Sequence, residues 1–436
     1  MARAAEGGRR ALRRSRLFLT ASFVSVGLGL ASCERAPERP RALLVGIDGA
    51  TLRVIGPMIA EQRLPNLARI AAHGVSGPLQ SLLPLHSPRI WNTIATGKVP
   101  SKHGILSFVR ADERGNHLYL SSDRRVPALW NIASSHGLTV GVVNWWNSYP
   151  PERINGVMVS DHFFPEQLAN LEQTFKADPE TVGPKVFPEQ WEARAQAAMS
   201  AQPLSVPIPD PFKDNAELPS WIRRDGLSRQ FQTDRQVTAV ALALDADIHP
   251  DLLMVYLPGV DRVSHSLWGN LEPAELYPER LRPSPAQRQA GVKALQGYYE
   301  YVDALLGTLL ARFDDDDLVL VMSDHGFEAG TRLVFLTGQH ETTAAAEGIL
   351  FARGRGVRRS GSAEPVTVSD ITPTVLAALG LPGAADMDGR PAAFLDASPP
   401  PAVASYDGLP IERLSARPSG VEGQIVDQLR ELGYVE

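Results

Sequence analysis

Cysteine is all but missing: the 436-residue chain holds one. That single count excludes an intramolecular disulfide, a cysteine-rich zinc site and a Cys-x-x-Cys redox pair together. Basic tracts are missing beyond the first sixteen residues, and the formal charge is −6. Little in the chain would hold a phosphate backbone, so no nucleic-acid polymer is expected as a partner. No period organises the 36 glycines and 35 prolines, which excludes collagen and solenoid architectures and assigns the excess to turns and irregular insertions. What is present is a composition 44% hydrophobic and 21% charged, enough apolar surface for a large globular core.

The amino terminus has its own pattern. Residues 1–16 carry six arginines against Glu6, and Leu17 to Leu30 form an apolar run of export-signal length, too short for a comfortable bilayer anchor. The run ends in Leu30-Ala31-Ser32-Cys33, which resembles the lipobox of bacterial lipoproteins. That resemblance implies a signal peptide over residues 1–33, a lipid on Cys33 as the new amino terminus, and a cell-envelope location. Glu34 after the cysteine favours the outer membrane or the periplasmic face. Cleavage would leave an acidic chain of formal charge −11. Residues 34–40, rich in proline and charge, read as an extended tether.

Three later segments share one design. Ala42 to Ile47 is a continuous apolar run ending at Asp48; Leu252 to Leu257 leads to Asp261; and Leu318 to Met322 leads through Ser323 to Asp324 and His325. Continuous apolar runs are the mark of strands buried on both faces of a parallel sheet. Helical three-four spacing lies between them at Leu64 to His73, Ala128 to His136 and Ala286 to Arg312. The alternation predicts an α/β fold: a doubly wound, mostly parallel sheet with helices on both faces and an inserted cap segment. Such sheets bind ligands at the carboxyl ends of their strands, where these acids stand.

One aspartate after a strand is commonly a turn or cap residue, but three together with histidines carry more. Asp261 and His265 are four apart and can face one ion from a helical turn. Asp324 and His325 follow a strand, and His340 sits in the glycine-bearing Gly338-Gln339-His340. Aspartates and histidines without thiolates suit zinc or manganese, and the ligands suffice for two divalent ions. Ser87 opens a helix-like stretch, where its plain role is an N-cap. His86 beside it does not make a serine-hydrolase dyad, since neighbouring residues rarely reach that geometry and no Gly-x-Ser-x-Gly elbow is present.

These residues together resemble the alkaline phosphatase superfamily, in its type I phosphodiesterase/nucleotide pyrophosphatase branch, from Leu43 to about Arg390. The resemblance rests on Asp48 in Val-Gly-Ile-Asp-Gly, Ser87 ten residues before Gly97 of Thr-Gly, Pro100-x-x-His103-Gly-Ile, Asp261-x-x-x-His265, Asp324-His325-Gly326 and His340. It implies that Ser87 is the nucleophile of a two-step in-line displacement through a phosphoseryl intermediate. Asp48, Ser87, Asp324 and His325 would hold one metal, and Asp261, His265 and His340 the other. The Asp370 to Thr374 and Asp386 to Arg390 segments would be a structural closing helix and loop. One departure is visible: where nucleotide pyrophosphatases carry an asparagine that holds a nonbridging oxygen, this chain has Phe108, so that contact must come from elsewhere. Arg89, Asn92, Lys98 and Lys102 are near in sequence, and His103 reads as a packing residue.

The catalytic domain is expected over residues 41–162 and 236–396. An inserted cap occupies 163–235, where nine prolines and no steady period occur. A tail over 397–436 ends in a docking helix near Val421 to Leu432. The function implied is that of an exported, lipid-anchored phosphohydrolase acting on phosphate esters or diesters. A phosphoethanolamine-type transferase, a sulfatase-like hydrolase and a non-catalytic envelope-binding lipoprotein are the alternatives. If Cys33 carries the lipid, Cys33→Ser releases the protein from membranes into the soluble envelope fraction with unchanged specific activity, as read by fractionation and assay.

Overall fold

The computed structural model describes residues 41–112, 115–164, 183–205, 208–213, 215–220, 222, 227–331, 337–358 and 365–415. The expected signal segment and Cys33, the tether and the carboxyl-terminal helix lie outside the described residues. Among the described residues thirteen strands are formed: β1 Ala42–Ile47, β2 Val75–Gln80, β3 Val109–Asp112, β4 Gly115–Leu118, β5 Val140–Val143, β6 Gly156–Val159, β7 Val186–Phe187, β8 Leu252–Leu257, β9 Leu318–Met322, β10 Glu328–Ala329, β11 Gly338–Gln339, β12 Glu347–Arg353 and β13 Val366–Thr367. Nine of them make one sheet in the order β13-β2-β12-β9-β1-β8-β5-β6-β7. The central run from β9 to β6 is parallel throughout, with β12 and the edge strand β7 reversed. The fold is α/β with a mostly parallel sheet, as the alternation of apolar runs and helical spacing predicts.

The period-two geometry of each strand divides its side chains between two cores. Leu43, Val45, Ile47, Leu253, Val255, Leu257, Val319 and Val321 face one side, against helices Leu52–Ala60, Leu227–Ile248 and Pro285–Leu310. Leu44, Met254, Tyr256, Leu320 and Met322 face the other, against helices Ser87–Thr96, Leu129–Ser135 and Ile371–Ala378. Burial on both faces is why these strands lack polar alternation. The expected helices are found with ends shifted by one or two residues, at Pro65–His73, Leu129–Ser135 and Pro285–Leu310.

The boundary expected at 235/236 falls inside the unbroken helix Leu227–Ile248. The described part of the insert is continuous with the same core: Phe163, Phe164, Val186, Ala198, Phe212 and Ile222 are buried in it, and β7 extends the sheet. Asp317, at the end of an acidic run, is buried, and its carboxylate accepts from the Arg41 backbone N–H at 2.8 Å where β1 begins. No helix among the described residues is long and apolar enough to cross a membrane.

Gly46 shows how the sheet makes room for its site. It pairs with Tyr256 across the β1/β8 ladder, and the space above it holds the Trp91 ring from helix Ser87–Thr96. A Cβ on residue 46 would lie 2.5 Å from Trp91 Cη2. Trp91 cannot yield easily, being fully buried and edge-on to Trp145 and Tyr256, each with ring centres 5.2 Å away. Gly46→Ala therefore costs about 1–3 kcal/mol through overpacking, read as a lowered Tm with an altered near-ultraviolet tryptophan signal.

Candidate active site and metal centre

The three acid-bearing strands are neighbours at the middle of the sheet, in the order β9-β1-β8. Their carboxyl ends therefore open on one place. Asp48 directly follows β1, its backbone N–H donating to the Leu257 carbonyl at 3.0 Å. Gly49 then turns the chain at φ +67°, where a Cβ would sit 2.9 Å from the Asp261 Cα; only glycine lets helix Gly259–Leu267 approach so closely. That helix carries Asp261 in its first turn and His265 one turn later on the same face. Asp324 and His325 follow β9, and His340 follows β11.

The side chains form two trios, Asp48 with Asp324 and His325, and Asp261 with His265 and His340, each with its ligand atoms within 4.8 Å of one another. These are candidate metal-binding groups, and they contain six of the seven residues that the resemblance implies as ligands, Ser87 being outside both. Asp261 stands between them: its Oδ1 lies 3.5 Å from His265 Nε2, 3.6 Å from His340 Nε2 and 3.9 Å from His325 Nε2. The His325 and His340 rings stack at 3.7 Å. Ser87 Oγ lies 3.5 Å from His325 Nε2. All seven residues singled out in the sequence thus meet in one buried cluster.

The hydrogen bonds around the cluster all point the same way. Each imidazole sets its Nδ1 against a backbone carbonyl: His325 on Gly326 at 3.0 Å, His265 on Gly338 at 2.9 Å and His340 on Leu85 at 3.0 Å. An Nδ1–H donated to a carbonyl fixes the tautomer whose Nε2 lone pair faces the cluster, as a metal ligand requires. Burial lowers His265 to a pKa of about 4 and His340 well below the ordinary histidine value, with the neighbouring imidazoles adding to the second shift. Both are therefore neutral. Asp324 is pushed up, first by burial and then by the charges of Asp48 and Asp261. The buried Asp48 Oδ1 and Asp324 Oδ2 accept no hydrogen bond, and among the described residues no lysine or arginine pairs with these carboxylates. A donor set of crowded carboxylates and neutral imidazoles fits divalent cations, because a cation removes the repulsion that lifts Asp324.

Asp48 is held from behind by residues that motif spacing does not reveal. Its Oδ2 accepts from Trp91 Nε1 at 3.2 Å and from the Tyr256 hydroxyl in a short hydrogen bond, and Tyr256 in turn accepts from Trp146 Nε1 at 2.7 Å. One oxygen is occupied and the other is presented. The signal was present in β8: a lone tyrosine hydroxyl in an otherwise aliphatic buried strand needs a partner.

Ser87 is not the N-cap; His86 holds that position in extended conformation, and Ser87 is the first helical residue, its side chain making no capping bond. Of the nearby polar residues, Lys98 lies at the far end of the helix on Asp386 and Asp407, both at 2.6 Å, and Lys102 reaches Asp388 at 2.7 Å. Arg89 donates to the Leu83 carbonyl, and Asn92 to Pro88 and Asn147. His103 is buried and lowered to about 3 by burial, bonded to Thr93 Oγ1 and the Ile105 N–H. The closing segments hold the same helix: Thr372 donates to the Ile94 carbonyl, and Asp388 and Gly389 to the Gly97 carbonyl.

Residues 42–362 match the family model described as type I phosphodiesterase / nucleotide pyrophosphatase. The chain belongs to this family. Its members hydrolyse phosphoric ester bonds. Among solved structures, the alkaline phosphatase PafA is 12% identical and superposes over 83% of this chain and 100% of its own at a TM-score of 0.53. A putative sulfatase from Bacteroides thetaiotaomicron VPI-5482 is 14% identical over 81% of this chain and 73% of its own at 0.50. These likenesses show the alkaline-phosphatase-like fold. Phosphonoacetate hydrolase from Sinorhizobium meliloti 1021, at 16% identity and a TM-score of 0.40, is matched over 67% of this chain, which spans 57% of that one. A search among curated proteins finds no significant sequence match.

Tyr256→Phe removes one of the two donors on Asp48 Oδ2 while keeping the ring packing. Metal affinity at the Asp48 trio should fall about 10–100-fold, read by competition with a chromogenic chelator, with the Asp261 trio unaffected.

Proposed function

We propose that the protein is an exported, lipid-anchored phosphodiesterase of the cell envelope that works through a phosphoseryl intermediate. The observation that carries this reading is the placement of Ser87 Oγ against His325, at the edge of two ligand trios that converge on Asp261. Asp48, Ser87, Asp324 and His325 would hold one divalent ion, and Asp261, His265 and His340 a second, with zinc the best match to this donor set and manganese next. When bound, such ions lower the pKa of hydroxyl groups held on them and neutralise charge on phosphoryl oxygens.

The chain's own residues account for the rest. Buried at the head of its helix, Ser87 presents one hydroxyl to the cluster. Its oxygen attacks phosphorus as its proton passes to solvent, the bond from phosphorus to one ester oxygen breaks, and the alcohol leaves after taking up a proton. Water then attacks the phosphoseryl group, the Ser87 oxygen departs with a proton, and the phosphate monoester is released. Asp48 keeps one orientation through Trp91 and Tyr256, and the three carbonyls on Nδ1 keep the imidazoles aimed. The anchor rests on Cys33 and the arginine-rich, apolar leader, with outer-membrane or periplasmic placement following from Glu34.

Ser87→Ala should abolish hydrolysis of an aryl phosphodiester by several orders of magnitude while metal content and fold persist, and Ser87→Thr should retain partial activity. Acid-quenched wild type under single turnover should show phosphate on the Ser87 peptide by mass spectrometry. Full activity in Ser87→Ala would overturn the covalent route. His340→Ala should lower bound metal from two ions per chain toward one by elemental analysis, and enzyme active in strong chelator with no stoichiometric metal would overturn the two-metal reading.

A further inference from the structure

Asp234 is a buried acid outside the cluster that the proposed chemistry does not use. It lies in helix Leu227–Ile248, closed off from solvent. Its Oδ1 accepts from the Gly259 N–H at 3.3 Å and its Oδ2 from the Tyr298 hydroxyl at 2.8 Å. Burial pushes its carboxyl up to about 7, although Tyr298, the Gly259 N–H and Arg262 all pull the other way. A carboxyl group is costly in such a place, and an amide or an aliphatic side chain would fill it more cheaply.

What Asp234 does there follows from where Gly259 stands. Gly259 opens the helix Gly259–Leu267, whose N-cap, Pro258, makes no side-chain capping bond. Asp234 therefore supplies, from a neighbouring helix, the acceptor and the negative charge that a helix start requires. Tyr298 brings in a third helix, Pro285–Leu310, at the same point. A Cβ on residue 259 would lie 1.8 Å from the Tyr298 hydroxyl oxygen and 2.5 Å from Asp234 Oδ2, so the missing side chain is what permits this approach. One turn before Asp234, Gln230 Oε1 accepts from Arg262 at 3.1 Å, a second tie between the same two helices.

The far end of the metal-site helix is held separately. The Thr337 N–H donates to the His265 carbonyl at 2.7 Å, and the Thr337 hydroxyl to the Ser266 carbonyl at 3.2 Å. Thr337 thus fixes the His265 end. Asp234 fixes the other, two residues before Asp261, while the Asp48 trio stands on the ends of β1 and β9.

We propose that Asp234 is a positioning residue for the Asp261 trio: by holding the first turn of helix Gly259–Leu267 it sets where the Asp261 carboxylate stands, and so the metal affinity of that trio alone. The proposal rests on the two-metal reading above.

The test is zinc titration of the full chain in competition with a chromogenic chelator, the binding step that His340→Ala removes being assigned to the Asp261 trio. Asp234→Ala strands the Gly259 N–H and the Tyr298 hydroxyl, and should weaken that step about tenfold or more while the other step keeps its affinity. Asp234→Asn keeps an oxygen for Gly259 and an amide for Tyr298 at the same size, and should restore most of the loss. Tyr298→Phe, which frees Oδ2 and keeps the ring, should weaken the same step, and it decides the matter if Asp234→Ala does not fold. Equal weakening of both steps in Asp234→Ala is general loosening and overturns the proposal. So does no weakening, an asparagine variant no better than alanine, or unchanged affinity in Tyr298→Phe. With two zinc steps in the wild type, any of these results sinks the positioning role alone; a wild type that takes up no second zinc sinks the two-metal reading and this role with it.

Discussion

Three carboxylates confined at the ends of adjacent strands set the terms for the rest of this molecule. Asp48, Asp261 and Asp324 are buried, close together, and faced by imidazoles rather than by ammonium or guanidinium groups. Uncompensated charge in such a place is expensive, and Asp324 shows it by holding its proton far more tightly than an exposed acid. The sheet tolerates this because its central strands are hydrophobic on both faces and hydrogen-bonded on both edges, so the cost is met by a core that does not itself need the acids. Stability and chemistry are therefore separated along one strand: aliphatic body, acidic tip.

Orientation is supplied by groups with no charge. Three backbone carbonyls select the imidazole tautomers, and two aromatic N–H and O–H donors select the Asp48 rotamer. Neutral donors and acceptors suit this layer, since a charged partner would compete with any cation at the candidate metal groups. The same aromatic residues pack the second core, so the Trp91 and Tyr256 rings join the interior of the protein to the geometry of its site.

The parts of this arrangement that were legible in the sequence are those with a period or a fixed spacing. Apolar runs ending in acids gave β1, β8 and β9, because strands covered on both sides have no polar alternation to obscure them. The four-residue interval gave Asp261 and His265, because one helical turn places both on one face. Trp91 and Tyr256 were not found, since an aromatic residue among aliphatic ones reads as core and its hydrogen bond leaves no spacing to detect. Ser87 reads as an N-cap because it opens a helix-like stretch, but His86 takes the cap and Ser87 the first helical position. The boundary at 235/236 was misplaced because proline density marks irregular chain well but says nothing about where a later helix begins. Lys98 is close to Ser87 in sequence, and nothing local announces its partners about three hundred residues on.

Those distant partners also fix when the site can exist. The amino end of helix Ser87–Thr96 presents the hydroxyl, while its carboxyl end is tied through Lys98 to Asp386 and Asp407, 288 and 309 positions later in the chain. Contacts at such separation form late, after the entropy of closing a very long loop has been met. During synthesis the helix bearing Ser87 lacks its far anchor until Asp386 and Asp407 have emerged.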